Sequence, residues 1–268
     1  MKNQKRRKKQ AGFTIIELMV SVTIFIVISG AIFGLMGTSQ KSFRTESQLL
    51  SSFQEARLGL DQIVRDANAT GYPPINHFST TPALSSAYAS TPVAWMPGYL
   101  TSAACTIGTA GGGTCTTPSD FDVVFEGDFN DGNGVEWVRY QLQGTTLYRG
   151  VTPKSAASDP VTATNVAGVM LPYVTNVMNN ASAARIAVFR AAYPAMFPGA
   201  VAQPIFQFTC DNGTGTILCQ NAGANNTPAN VRDIEITLIV MSPQADAQTG
   251  RLRLVELNGR GHRKNPNQ

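Results

Sequence analysis

The residue best placed to do chemistry in this chain is a single acid. Glu17 is the only charged side chain between Ala11 and Thr38, inside an otherwise apolar run. A lone carboxylate in hydrocarbon costs several kcal/mol unless it lies near the interface, is protonated or is paired. Two readings follow. Glu17 sits close enough to the headgroups to reach water, or it is kept for a positive charge on another molecule. Its position alone does not choose between them. The four cysteines form a second group, falling as two close pairs, Cys105/Cys115 and Cys210/Cys219. Neither pair is a C-x-x-C and no histidine is near, which disfavours zinc. Two short disulfide-closed loops are favoured over four free thiols and imply an oxidising compartment, although spacing alone does not fix connectivity. A third group, Asp128, Asn130, Asp131 and Asn133, offers oxygen ligands to calcium. These are weak candidates, because Gly132 occupies the third ligand position of an EF-hand loop and the same residue types build turns without a metal.

Beyond these groups little chemistry is written in the chain. His77 lies beside a Pro-Pro turn and His262 in a basic tail, so neither reads as a base or a ligand. No G-x-S-x-G, H-E-x-x-H or P-loop lysine occurs. The glycine-rich stretch from Gly108 to Gly113, within the first cysteine pair, reads as a flexible loop. No catalytic residue and no cofactor is expected, and the chain does not read as an enzyme. Charge argues in the same direction. Lys2, Lys5, Arg6, Arg7, Lys8 and Lys9 put six positive charges in the first nine residues with no acid among them. Without those six, the 21 basic residues fall to 15 against 17 acidic ones, so the body is near neutral and no nucleic-acid partner is expected.

These residues must be held by recognisable elements. The chain has 268 residues, 43% hydrophobic and only 14% charged, enough for a real core and neither disordered nor a coiled-coil rod. Phe13 to Gly37 is almost unbroken apolar sequence. As a helix it is about 37 Å long at ~1.5 Å per residue, enough to cross a hydrocarbon core of ~30 Å. The basic flank before it should stay cytoplasmic and leave the body outside. Phe43, Leu49, Phe53, Ala56, Leu60, Ile63 and Ala67 then recur at three- and four-residue steps. They predict that the helix continues to about Ala69, with its second half, 38–72, amphipathic and packed on a head. Thr70-Gly71 and Pro73-Pro74 should end it. The head, 73–258, reads as β-rich, with strands around Phe121–Glu126, Val135–Leu142, Thr145–Val151, Pro204–Cys210, Val231–Met241 and Arg251–Leu257. The last two should pair. Residues 75–118 and 152–200 look like long loops, and the polar tail 259–268 like a frayed end. The fold class expected is α+β, a long N-terminal helix on an antiparallel sheet.

Gly12-Phe13-Thr14-Ile15-Ile16-Glu17-Leu18-Met19-Val20 resembles the processing site of type IV pilins and type II secretion pseudopilins, the class III signal sequences. The resemblance implies a pilin-like fold. It implies that 1–12 is a prepilin leader, that a prepilin peptidase cuts between Gly12 and Phe13, and that the new N-terminus at Phe13 is methylated. It further implies that Glu17 attracts the N-terminal amine of a neighbouring subunit as the helices of residues 13–37 bundle, each charge relieving the other in hydrocarbon. Gly30 and Gly34 form a small-xxx-small face for such packing. Unlike many major pilins, this helix carries no proline from Phe13 to Tyr72. Arg57, Leu60-Asp61, Arg65-Asp66 and Gly71-Tyr72 are similar to the matching region of PilW-type minor pilins. That narrower resemblance implies a subunit that primes or caps a type IV pilus, with other major and minor pilins, the assembly platform and its ATPase, and the inner membrane as partners. The implied location is the inner membrane, single-pass with the head outside, and then the pilus. A J-type minor pseudopilin of type II secretion is the alternative within the family. A periplasmic binding protein is the alternative outside it, if Ser29-Gly30-Ala31 is instead an ordinary signal-peptide cut.

Overall fold

The computed structural model describes residues 12–99, 104–108, 112–129, 134–155, 159–246 and 250–263. One helix, α1 (Ile15–Ala69, 55 residues), forms the stem. It stops where the sequence predicts. Thr70 turns extended and Gly71 takes φ 77°, with its N–H donating to the Glu126 carbonyl. Among the described residues its first half makes no contact with the head, and apolar residues from Ile15 to Met36 stand exposed. Contact with the head starts near Phe53 and is complete at Ala56, Leu60, Ile63 and Ala67, all buried. The apolar stripe therefore overestimates the contact, since Phe43 is exposed and Leu49 only half-buried.

The head holds two antiparallel sheets. The first runs β1 (Val93–Ala94), β2 (Asp122–Gly127), β3 (Glu136–Gln143), β4 (Thr146–Pro153) and β5 (Leu171–Val174) in that order. β3 and β4 form a hairpin whose register runs from Glu136↔Pro153 to Gln143↔Thr146, turned by Gly144 at φ 61°. The second has the order β7 (Thr216–Leu218), β6 (Phe206–Asp211), β8 (Val231–Met241) and β9 (Leu254–His262). One core joins α1 to both sheets through Val123, Phe125, Tyr140, Phe206, Ile236 and Leu238, among others. Two satellite clusters lie outside it. α2 (Pro160–Thr164) covers Val124 and Trp137, and α3 (Ala183–Ala192) lays Ile186 and Phe189 near Ile239 and Met241.

Three expectations need correction. The last strand runs Leu254–His262 rather than Arg251–Leu257, so 259–262 is ordered sheet and not frayed tail. The expectation of fraying rested on polarity, but Asn258 and Arg260 are simply the outward residues of an alternating edge strand. Residues 152–200 are not one long loop, since they contain α2, β5 and α3. Glu126, whose place in an alternating strand suggests a solvent-facing residue, is fully buried because β2 is covered on both faces. It is satisfied there by Lys154 Nζ at 2.9 Å, Trp137 Nε1 at 2.8 Å, the Ser90 N–H at 2.6 Å and the Tyr99 hydroxyl.

The helix seat needs absent side chains. Gly259 and Gly261 of β9 face α1, where a Cβ on Gly259 would come within 2.7 Å of Val64 and one on Gly261 would overlap Ala67. The helix packs more extensively on β9 than on any other strand, and the two glycines allow close approach there. A buried polar clasp fixes its angle. Asp66 Oδ2 accepts from Tyr140 Oη at 2.6 Å and Arg149 Nη2 at 3.0 Å, and Gln62 donates to Oδ1 at 2.6 Å. Burial pushes the Tyr140 hydroxyl far above the ordinary phenol range, and the Asp66 charge adds to this, so Tyr140 stays a donor.

Candidate functional site

The site begins where the described chain begins. Gly12, Phe13 and Thr14 lie outside the helix, and Phe13 is 89% exposed. A Cβ built on Gly12 would meet nothing within 4 Å. The fold thus makes no steric demand for glycine there, and any such demand must come from a molecule that reads the segment. Gly30 and Gly34 are equally open, with no neighbour in the chain that requires their smallness.

Glu17 is bound locally in a way that the residue spacing signals but the reading above did not use. Thr14 is the N-cap of α1. Its hydroxyl accepts from the Glu17 N–H at 3.3 Å, while its own N–H and hydroxyl donate to Glu17 Oε2 at 2.9 and 3.0 Å. This is a capping box, T-x-x-E ahead of an apolar run. It satisfies amide donors at a helix start where no water would reach within a bilayer. Every atom of the box lies beyond the Gly12–Phe13 bond, so cutting that bond leaves it intact. Both Thr14 contacts fall on Oε2, and among the described residues Oε1 has no partner. One carboxylate thus caps its own helix through a single oxygen.

The remaining candidates stand in the head, far along the chain from this segment. Cys105 is bonded to Cys115 and Cys210 to Cys219, with Cα separations of 5.0 and 4.7 Å. The first bridge lies between β1 and β2 in the chain, and the second ties β6 to the turn after β7. Of the calcium candidates, Asp128 donates its N–H to the Tyr72 carbonyl at 2.7 Å, while Asn130, Asp131 and Asn133 lie outside the described residues. Among the described residues no three His, Cys, Asp or Glu side chains gather as metal ligands would. His77 makes edge contacts with Tyr72 and Phe78, and His262 binds Asp233.

Compared with known families, the chain matches the prokaryotic N-terminal methylation motif over residues 7–33. This supports a type IV pilin-like class III signal. Together with the exposed apolar helix, which is long enough to cross a membrane, it points to membrane anchoring. No curated protein and no solved structure matches the chain.

Proposed function

We propose that this chain is a minor pilin of the PilW type that primes or caps a type IV pilus. A prepilin peptidase removes residues 1–12 and methylates Phe13, and Glu17 then receives the N-terminal amine of a neighbouring subunit. The observation that carries this reading is the methylation motif lying across an exposed helix start at which Gly12 and Glu17 Oε1 have no intramolecular duty. An apolar half-helix with no contact to its own head is stable only among lipid tails or among other such helices. The unbroken course of α1 through Ser29, Gly30 and Ala31 weighs against a signal-peptide cut there. The head carries further helices and insertions beside its sheets, which suits an end position better than a repeated shaft position.

The decisive experiment is mass spectrometry of the mature protein from membranes and sheared filaments. A polypeptide beginning with methylated Phe13 is expected, and one beginning at Ile32 overturns the proposal. Gly12→Leu should leave uncleaved precursor in the membrane, detected as a larger band on immunoblot.

A further inference from the structure

We propose that the head carries an oxyanion site between the end of β9 and the start of β8, built to take one carboxylate or phosphoryl group. A cavity of about 290 Å³ opens there, walled by Arg232, Arg263, Asp211, Asn225 and Asn230. Its lining is predominantly polar.

Arg263 is the unusual member. It is 5% exposed and, among the described residues, no carboxylate lies within ion-pair reach of it. Its Nη1 donates to the Ala229 carbonyl at 3.0 Å, but its buried Nε has no acceptor. A buried guanidinium normally has a carboxylate partner, because an uncompensated buried charge costs several kcal/mol. Here the nearest charge has the same sign. The Arg263 N–H donates to the Arg232 carbonyl at 2.9 Å, which fixes the two residues opposite each other. Burial, and then the Arg232 charge, pull Arg263 below the ordinary arginine range.

The one acid in the wall is already committed. Asp211 takes the Gly213 N–H at 2.8 Å and Arg232 Nη1 at 2.9 Å, and these contacts hold it ionised below the usual carboxylate range. Asp211 thus pairs with Arg232 alone, leaving the positive charge of Arg263 without a carboxylate beside a polar cavity. An oxyanion in the cavity supplies the missing negative charge beside the guanidinium, a pairing that arginine favours. The site lies in the head and does not depend on how the N-terminus is processed.

The test is thermal unfolding of the full-length protein in detergent, titrated with inorganic phosphate or with acetate at ionic strength held constant with chloride. A saturable rise in Tm with either oxyanion and none with chloride is expected. The stronger of the two arms identifies the group. Arg263→Gln should abolish the response. Arg232→Gln, at the half-exposed rim, should weaken apparent affinity about tenfold, the loss of one charge-assisted hydrogen bond. No rise with either oxyanion overturns the proposal, as does an equal rise with chloride. Should Arg263→Gln fail to fold, an undiminished response in Arg232→Gln overturns it as well.

Discussion

Glu17 combines two roles that a mutation series can separate. As a cap it is paired with Thr14, and as a charge it has an oxygen to spare. Thr14→Ala removes the cap, worth about 1 kcal/mol at a helix start, but keeps the charge. Glu17→Leu removes both. Membrane fractions should contain both variants at wild-type levels. In sheared filaments Glu17→Leu should fall at least tenfold, while Thr14→Ala stays within about twofold, as one kcal/mol or less of local fraying allows. Equal losses on immunoblot would assign Glu17 a capping role alone. A second residue-scale prediction concerns pH. Burial pushes Asp233 up, but hydrogen bonds from His262 and Arg260 outweigh it and hold the carboxyl below its usual range. A carboxyl depressed in the fold contributes stability that is complete above its unfolded pKa, about 4, and lost as pH falls through the lower folded value. The stability gap between wild type and Asp233→Asn should therefore close as pH falls below about 4. Urea midpoints across that range check it.

At the scale of elements, the seat of α1 on β9 is the joint between stem and head. Gly261 lies where any Cβ would overlap Ala67, and the Asp66–Arg149–Tyr140 clasp leaves the helix little freedom to retreat. Gly261→Val should cost about 1–3 kcal/mol by overpacking. The equivalent change at Gly213, in an open turn, would act only through its positive φ. Thermal unfolding of Gly261→Val at the wild-type midpoint would contradict this seat. The same joint explains where sequence periodicity stopped being informative. Leu49 continues the apolar stripe in phase with Ala56 and Ile63, yet it is only half-buried. Periodicity reports which face of a helix is apolar, while the partner's dimensions decide how much of that face is covered.

For the whole molecule, the two disulfides brace a head whose connections are long and whose sheets are short. Each bridge closes a loop of about ten residues, worth about 2–3 kcal/mol in the chain-entropy account. Reduction under native conditions should lower the urea midpoint. Cys210→Ser/Cys219→Ser should account for more of the loss than Cys105→Ser/Cys115→Ser, because the former pair are core residues and Cys115 is only partly buried. A molecule anchored by one exposed half-helix, with its head joined only through the other half, then depends on that bracing wherever it works outside a reducing compartment.

The residue series alone determined the class of element at each end of the argument. A run of apolar residues with one acid marks a helix that seeks lipid or its own kind, and alternating Ile234, Ile236, Leu238 and Val240 mark a strand with one apolar face. The same series carried the processing motif, since that motif is read linearly by another molecule and needs no fold. Tertiary structure alone decided the rest. It buried Glu126 by covering both faces of β2, paired Arg260 and His262 with Asp233 across strands, and brought Arg232 and Arg263 to one cavity. Those contacts join residues as much as 36 positions apart. Their partners are set by which faces two sheets and a helix can close together, a matter of volume and register that no local pattern encodes.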